Sequence, residues 1–331
     1  MPCCTRRPYE VDAGYRQGDE RAVMSRPRIL LTGATGVLGQ RLRPLLAELG
    51  DCVGLGFREA PISGYKVDLT DRGAAQGLLD RVQPHVVLHA AALTDVDRCE
   101  RDQAAAYKLN VEATRHLVDW VVARGAEAHM VYISTDQVYD SPGDSPEESV
   151  SPVNVYALTK LWAEDLIRRL EWGLVLRTNF FGFGDERHRT FVDWVVESSR
   201  AGRPITLFED VLFNPLQVDD LAAIITRLVA ERAVGTYNVG ASGGGLSKGQ
   251  FIRMLAGRLD LPTEGYREGS LGDVDLAARR PRDMRMNVKR LAALLGQELP
   301  SVAAGIDRLV EGAAVPSQSA SAGWQREKSH A

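Results

Sequence analysis

Residues 31–39 read Leu31-Thr32-Gly33-Ala34-Thr35-Gly36-Val37-Leu38-Gly39 and stand between an apolar run and an amphipathic stretch. The apolar run predicts a short buried strand, and the amphipathic stretch predicts a helix. Gly33 permits a tight turn, Gly36 lets the backbone approach a pyrophosphate, and Gly39 lets helix and strand pack closely. The free N–H groups at the start of a helix attract an anion. The pattern predicts a dinucleotide site with contacts at Gly33, Thr35, Gly36, Val37 and Leu38.

On both sides of this turn, predicted strands alternate with predicted helices. We expect strands at 29–31, 52–57, 65–68, 85–89 and 130–134, and helices at 40–49, 74–82, 104–124 and 156–170. Alternation at this spacing is typical of βαβ units with right-handed crossovers. The sequence therefore predicts an α/β fold with a doubly wound parallel Rossmann sheet, whose ligand crevice lies at the carboxyl ends of the strands.

The alternation weakens after residue 180, which predicts a change of architecture. We expect a flexible leader at 1–26, a dinucleotide-binding Rossmann domain at 27–178, mainly a smaller C-terminal α/β substrate-binding cap at 179–315, and a disordered tail at 316–331. Leader and tail lack the apolar content that a packed core needs. The strand at 174–177 is expected to leave the sheet, with the alternative that 175–177 and 237–239 return to it.

Composition and charge exclude several classes of protein. The chain has 331 residues and a net charge of −4, without the clustered basic residues that a nucleic-acid partner needs. No apolar run approaches the roughly 20 residues that span a bilayer, and no secretory signal is recognisable. The four cysteines show neither metal-ligand nor disulfide spacing. We expect a cytoplasmic protein without metal, nucleic-acid or membrane partners. A redox or lipid-attachment role for Cys3-Cys4 and a start at Met24 stay open.

The end of the second predicted strand, Gly54-Leu55-Gly56-Phe57-Arg58, bears on the choice of cofactor. An acidic residue at this point would bind the ribose 2′-OH of NAD, and none is present. Arg58 can instead pair with a 2′-phosphate and stack on adenine. The alternative is a solvated arginine that the neighbouring Glu59 neutralises. We therefore expect NADP(H) as the cofactor, bound in part by Arg58.

Tyr156 and Lys160 lie four residues apart on a predicted helix, so their side chains share one face. A phenol has a reference pKa of about 10, which makes it a weak acid at neutral pH. A neighbouring ammonium and an oxidised nicotinamide would lower that pKa. Tyr156 then becomes a usable proton donor or acceptor for a substrate oxygen. Both residues are predicted to be catalytic and to contact the cofactor.

The spacing Gly-x-x-Gly-x-x-Gly at 33–39 resembles that of the extended short-chain dehydrogenase/reductase family, and so does the Tyr-x-x-x-Lys pair at 156–160. The resemblance implies that Asp68 and Leu69 contact the adenine. It also implies a turn of small residues that leaves room for the cofactor, at Ala90, Ala91 and Ala92.

Two further positions follow from this resemblance. Asn110 takes the place of a structural asparagine that braces the active site. The catalytic hydroxyl falls on Thr135, where it would hold a substrate carbonyl beside the phenol. The alternative is that Ser134 and Thr135 only cap the end of a strand.

Three segments resemble one branch of the family, the dTDP-4-dehydrorhamnose reductases and their relatives. They are the Thr-x-Val-Asp sequence at 94–97, the Thr-Asp pair at 135–136 and the Arg-Pro segment at 280–287. The resemblance covers residues 28–310. It implies NADPH-dependent reduction of a nucleotide-linked 4-keto-6-deoxysugar, with tyrosine as the proton donor. Substrate contacts are then expected at Thr94, Asp136, Asn179, Arg280 and Arg282.

The sequence differs from this branch at two places that bear on which substrate is bound. Asp283 and Met284 interrupt the Arg-Pro segment, and Asn179 begins a sequence more similar to nucleotide-sugar epimerases, whose asparagine contacts diphosphate. Arg280 and Arg282 can pair with a diphosphate, or they form a solvated charged turn.

Lys248 is a less favoured candidate for this contact, because it resembles an ordinary residue at the start of a helix.

Two alternative functions stay open. The same branch contains the regulatory β subunit of methionine adenosyltransferase, whose cofactor loop resembles residues 54–58. In that subunit the dinucleotide fold serves a partner enzyme. The other alternative is a nucleotide-sugar epimerase with tightly bound NAD, which Arg58 disfavours. The expected partner is a nucleotide-sugar substrate, and the sequence is compatible with a homodimer.

Overall fold

The computed structural model describes residues 26–57, 64–125 and 127–312. The described residues do not include Arg58, Glu59, the predicted leader up to residue 25 or the predicted tail. The assignments made for them stay predictions.

Seven parallel strands form the central sheet. The strands of the described chain are β1 Arg28–Thr32, β2 Asp51–Gly56, β3 Tyr65–Lys66, β4 Val86–His89, β5 His129–Thr135, β6 Gly173–Thr178, β7 Phe180–Phe181, β8 Ile205–Phe208, β9 Leu212–Phe213, β10 Leu216–Gln217, β11 Gly235–Val239, β12 Leu246–Ser247 and β13 Tyr266–Gly269. The sheet has the order β11-β6-β5-β4-β1-β2-β3, and every pair of neighbours is parallel. The predicted α/β fold with a parallel Rossmann sheet is confirmed.

Helices connect the strands and cover both faces of the sheet. They are α1 Val37–Leu49, α2 Arg72–Val82, α3 Val96–Arg101, α4 Gln103–Tyr107, α5 Ala113–Ala123, α6 Val155–Ile167, α7 Phe191–Arg200, α8 Val218–Ala230, α9 Lys248–Arg258, α10 Lys289–Leu295 and α11 Val302–Gly312. On one face, α1 and α8 pack against Leu31 and Leu88. On the other, α2, α5 and α6 pack against Leu30 and Val87. Because successive side chains alternate between the faces, the central strands need continuous apolar runs.

The strand expected to leave the sheet remains in it. β6 pairs with β5 on one side and with β11 on the other. Its residues Leu174, Val175 and Leu176 are fully buried, because both faces of the sheet are covered at this point. The structure therefore shows the alternative arrangement, in which β6 and β11 both belong to the main sheet. The domain boundary at 178/179 stays a prediction.

Three two-stranded sheets lie beyond β6. β7 pairs with β10, β9 pairs antiparallel with β12, and β8 pairs with β13. Sequence reasoning missed these short pairings, and also α3, α10 and α11. Strands of two to four residues carry little periodicity, so their pairing depends on the tertiary neighbours.

A network of buried polar side chains joins α6 to the neighbouring strands. The Glu164 carboxylate accepts hydrogen bonds from Arg177 Nε and Nη2, at 3.0 and 2.7 Å, and from the Ser134 hydroxyl, at 2.5 Å. Arg177 also donates to the Tyr139 hydroxyl, which donates to Asn238, both at 2.7 Å. The charged pair is at most 1% exposed. A buried charge that loses its partner is costly, so this network fixes α6 against the sheet.

Arg177→Met should lower the free energy of unfolding by about 3–5 kcal/mol, because the Glu164 carboxylate would stay buried without its main partner. The control Arg227→Met removes a half-exposed arginine that pairs with Glu231 along α8, and should cost less than about 1 kcal/mol. Urea unfolding followed by circular dichroism measures both changes. Equal losses in the two variants would contradict a structural role for the network.

Candidate functional site

The carboxyl ends of β1, β4, β5 and β6 lie side by side at one edge of the sheet, because these strands are parallel neighbours. The glycine turn follows β1, and a three-alanine turn follows β4. Thr135 ends β5, and Asn179 follows β6. The edge therefore brings most of the predicted site residues into one crevice.

The glycine turn contains close backbone approaches that leave no room for side chains. Gly33 has φ +70°, and a Cβ there would lie 2.8 Å from the Ala91 nitrogen. A Cβ on Gly39 would lie 2.2 Å from the Gly33 carbonyl oxygen, so only glycine lets α1 meet the turn. Among the described residues, a Cβ on Gly36 would come within 4 Å only of the Gly33 oxygen, at 3.4 Å. The space beside Gly36 is thus open to a ligand that approaches the backbone.

The start of α1 offers N–H groups to that space. Gly36 is the N-cap, and in the described chain no side chain caps the turn formed by Val37 and Leu38. The Gln40 side-chain amide braces the turn by donating to the Thr35 carbonyl at 3.0 Å, and it also donates to Asp185 at 2.8 Å. Uncapped N–H groups at the start of a helix carry partial positive charge. These residues fit the pyrophosphate of a dinucleotide.

The other residues predicted to contact the cofactor lie on the neighbouring strand ends. The Ala91 N–H donates to the Thr32 hydroxyl at 3.1 Å, which holds the three-alanine turn against β1. Leu69 is buried, whereas Asp68 is exposed. The Asp68 carboxylate accepts hydrogen bonds from the hydroxyl and the amide of Thr70, and these lower its pKa. Adenine contacts at both positions stay a prediction.

A π-helical turn at Lys108–Glu112 interrupts the helix predicted at 104–124. Its Asn110 side chain accepts a hydrogen bond from the Leu93 N–H at 2.8 Å, and its amide donates to the Thr159 hydroxyl at 3.0 Å. Such turns are frequent at functional sites. Asn110 thereby ties the segment after β4 to α6, the helix that carries the predicted phenol.

A phenol, a hydroxyl and an ammonium meet at the end of β5. Tyr156 and Lys160 lie one turn apart on α6, and both are buried. The Thr135 side chain lies close enough to the Tyr156 phenol to lower its pKa, and its hydroxyl accepts a hydrogen bond from the Gln137 N–H at 3.2 Å. The Lys160 ammonium donates to the Ile133 carbonyl at 2.7 Å. Thr135 thus caps the strand end and also lies beside the phenol.

Burial dominates the proton affinities of this group. It raises the pKa of Tyr156 well above its ordinary value, and the hydrogen bond with Thr135 offsets this only in part. Burial lowers the pKa of Lys160 to about 7, against the opposing charges of Glu164 and Cys99. The sequence predicts a lowered phenol pKa, but in the chain alone the desolvation of the phenolate is the larger effect. Tyr156 is therefore protonated at neutral pH, as a proton donor must be.

Two buried aromatic rings lie close to the Lys160 ammonium. Lys160 Nζ is 4.2 Å from the centroid of the Tyr132 ring, and that ring is 5.7 Å from the His89 ring. The two nitrogens of His89 are hydrogen-bonded with the hydroxyls of Thr32 and Thr114, at 2.7 and 3.0 Å. Burial and the charge of Lys160 lower the His89 pKa to about 3. The imidazole is thus neutral and links β1 to the helix side of the sheet.

Asp136 and Asn179 form the neighbouring part of the crevice. The buried Asp136 carboxylate accepts hydrogen bonds from the Asn179 amide at 2.6 Å and from the Thr135 hydroxyl at 3.3 Å. Burial raises the pKa of Asp136 to about 6, against these hydrogen bonds and the charge of Lys248. A carboxylate and an amide in this arrangement can bind the hydroxyl groups of a sugar.

Arg280 and Arg282, which are predicted to contact a diphosphate, each form an ion pair with a carboxylate of the described chain. Arg280 donates to Asp97 at 2.9 and 3.1 Å, and both side chains are nearly buried. Burial alone would raise the Asp97 pKa, but hydrogen bonds from Arg280 and a backbone amide, with the guanidinium charge, lower it. Arg282 lies 3.0 Å from Asp210 and is half exposed. Asp97 thus holds Arg280 in an ion pair, and diphosphate contacts at Arg280 and Arg282 stay a prediction.

The pair of Arg280 and Asp97 joins two segments that the sequence singles out separately, at 94–97 and 280–287. Thr94, the first residue of the earlier segment, is exposed.

Lys248, which resembles an ordinary helix start in the sequence, lies at the same crevice. It is the first residue of α9, after the N-cap Ser247. Burial and the charge of Arg280 lower its pKa to about 8, and Asp136 opposes the shift. The sequence ranks this residue below the arginines because nothing in the local pattern shows that its charge reaches Asp136.

No group of three or more His, Cys, Asp or Glu side chains within the described ranges could hold a metal ion. No helix in those ranges is long and apolar enough to cross a membrane.

Known proteins resemble most of the chain. The RmlD substrate binding domain family matches residues 27–315. Methionine adenosyltransferase 2 subunit beta from Pongo abelii is 28% identical over 312 residues, which cover 88% of this chain and 89% of that protein. A dTDP-4-keto-6-deoxy-D-glucose reductase from Streptomyces niveus is 31% identical over 233 residues, which cover 69% and 77%.

A solved structure extends this likeness to three dimensions. The dTDP-4-dehydrorhamnose reductase from Bacillus anthracis, in complex with NADP, is 26% identical and covers 87% of this chain and 100% of its own. The TM-score is 0.77. The predicted resemblance to these reductases and to the regulatory β subunit is confirmed.

The neutral His89 predicts a pH-dependent contribution to stability. Its pKa is about 3 in the folded chain, against an ordinary 6.5, so the unfolded chain binds an extra proton between these values. The stability that wild type holds over His89→Gln should be constant above pH 7. Below pH 6.5 it should fall by about 1.4 kcal/mol per pH unit. Urea unfolding of both proteins from pH 7.5 to pH 4.5 measures this difference. Parallel pH profiles would show that His89 is not held neutral.

Proposed function

The chain belongs to the RmlD substrate binding domain family, and we propose that it is an NADPH-dependent reductase of a nucleotide-linked 4-keto-6-deoxysugar. One observation carries the proposal. The Thr135 side chain lies close enough to the Tyr156 phenol to lower its pKa, and Lys160 lies one helical turn from Tyr156 on α6. Relatives named as reductases of dTDP-linked keto-sugars support the same chemistry.

The proposed cofactor is NADP(H). The uncapped start of α1 and the space beside Gly36 suit its pyrophosphate. The three-alanine turn suits the nicotinamide half, because small side chains keep that part of the crevice open. Arg58 is proposed to pair with the 2′-phosphate, and it lies outside the described residues. The NADP complex of the Bacillus anthracis relative supports this choice.

The proposed chemistry reduces a ketone to an alcohol. Bound NADPH supplies the hydride that adds to the keto carbon. Tyr156 donates its phenolic proton to the oxygen of that carbon, so the carbonyl becomes a hydroxyl. Thr135 donates a hydrogen bond to the same oxygen and orients it beside the phenol. Lys160 stabilises the phenolate that the proton transfer leaves behind, because an adjacent cation favours the charged form.

The substrate sugar is proposed to lie against Asp136 and Asn179. The Asp136 carboxylate accepts a hydrogen bond from the Asn179 amide, and it accepts another from the Thr135 hydroxyl. A ring hydroxyl can bridge such a pair and so place the keto carbon beside the phenol. The segment 179–315 is proposed to supply most of the remaining substrate contacts, and the exposed Thr94 is kept as a candidate.

A regulatory role is the second candidate function. It is favoured by the similarity to methionine adenosyltransferase 2 subunit beta, which extends over 88% of the chain. In this role the cofactor site would be kept, and a methionine adenosyltransferase catalytic subunit would be the partner.

Tyr156→Phe should lower kcat for a dTDP-4-keto-6-deoxyhexose by roughly 10²–10⁴-fold, because the positioned proton donor is removed and the ring is kept. NADPH affinity should be unchanged, since the glycine turn and Lys160 remain. The decrease in absorbance at 340 nm measures turnover, and wild type should prefer NADPH to NADH. The control Tyr107→Phe removes a phenol that accepts from Arg115 on the helix surface, and it should keep full turnover. Full turnover in Tyr156→Phe would refute the assignment.

The regulatory candidate predicts a stable complex with a methionine adenosyltransferase catalytic subunit. Size-exclusion chromatography of the mixed, purified proteins tests it. A shared peak and no keto-sugar turnover by wild type would favour the regulatory role. Separate peaks with turnover would remove it.

A further inference from the structure

The start of α9 is held firmly at the crevice. The Lys248 N–H donates to the Val211 carbonyl at 2.9 Å. The preceding Ser247 hydroxyl caps the helix through the Gln250 N–H and also hydrogen-bonds to Glu209. These bonds fix the backbone of Lys248, so its side chain extends from a defined point.

The Lys248 ammonium lacks the partner that a partly buried cation requires. Within the part of the chain that the structure describes, no side chain or carbonyl accepts a hydrogen bond from it. Lys248 Nζ lies over the Phe191 ring, 5.8 Å from the ring centroid. Taking a charged group out of water without a partner is costly. A lysine kept there for stability alone would be expected to reach an acceptor.

Across the crevice lie Asp136 and Asn179. The charges of Lys248 and Asp136 affect each other's pKa, yet the two groups form no direct ion pair. Asp136 is instead hydrogen-bonded to Asn179 and to Thr135. The start of α9 lies near this pair, because the ring of Phe251, one turn after Lys248, is 5.0 Å from the ring of Phe181, two residues after Asn179. A ligand that carries hydroxyl groups at one end and an anion at the other fits both sides.

Each of the neighbouring arginines is paired with a carboxylate, which offsets its charge toward an anion. The pairs are Arg279 with Asp140, Arg280 with Asp97, Arg282 with Asp210 and Arg285 with Asp283. Lys248, in contrast to these arginines, has no carboxylate partner in the described ranges.

We propose that Lys248 binds a phosphate group of the substrate's diphosphate, while Asp136 and Asn179 bind a hydroxyl of its sugar. This inference rests on the proposed function and adds to it the residue that recognises the nucleotide-diphosphate end. Arg280 positions the wall of the crevice through Asp97. The lysine is thus a binding residue, and the proton transfer does not require it.

Binding of dTDP to the full-length protein tests this directly. Titration calorimetry is carried out in excess NADP⁺, so that the glycine turn is occupied and dTDP cannot bind there. Lys248→Met should raise the Kd of dTDP at least tenfold, because the charge is lost at similar side-chain volume. Lys248→Arg should keep the Kd within a few-fold, since it restores the charge. Inorganic pyrophosphate, used as a second probe, should show the same order of affinities.

The matched control is Lys289→Met, because Lys289 is also the first residue of a helix, α10, but is exposed. This variant should bind dTDP like wild type, and all variants should bind NADP⁺ alike. Raising the salt concentration should weaken dTDP binding to wild type more than to Lys248→Met. Unchanged dTDP affinity in Lys248→Met, or a wild type that binds neither probe, would overturn the inference.

Failure of the inference and failure of the proposed function give different results. If wild type reduces a keto-sugar and Lys248→Met binds dTDP normally, the proposed reductase function is supported and the proposed phosphate contact of Lys248 is wrong. If wild type has no reductase activity but binds dTDP through Lys248, the anion site stands and the reaction must be another one on a related ligand.

Discussion

The buried ion pair between Glu164 and Arg177 is the constraint on which the site geometry depends. Glu164 lies on the same helix as Tyr156 and Lys160, and Arg177 lies on the strand beside the one that ends in Thr135. Two ions that are withdrawn from water must remain in contact, so helix and strands cannot slide past one another. The distance between phenol and hydroxyl is thus set by the core of the protein rather than by the crevice itself.

The parts of the site that the sequence predicts are those with local causes. The glycine turn is recognisable because its three glycines recur at a fixed spacing between a strand and a helix. Tyr156 and Lys160 are recognisable because helical spacing alone puts them on one face. The parallel sheet follows from the alternation of short apolar runs with helices.

The parts that the sequence does not predict depend on distant neighbours. Arg280 finds its partner 183 residues away, and no local pattern indicates that Asp97 neutralises it. Lys248 comes near Asn179 because tertiary packing places the ring of Phe251 on α9 against the ring of Phe181 on β7. The phenol pKa rises rather than falls for the same reason, since burial is a property of the whole fold. Sequence alone therefore identifies the chemistry more readily than the groups that select its substrate.

The π-helical turn at Lys108–Glu112 has a consequence for how this chain can change length over evolutionary time. Each residue of an α-helix turns the chain by about 100°, and a π turn accommodates one extra residue without disturbing the helices on either side. Deleting a single residue there would rotate α4 against α5 and carry Asn110 away from Leu93 and Thr159. Insertions and deletions should therefore be excluded from this segment, although it is not a loop.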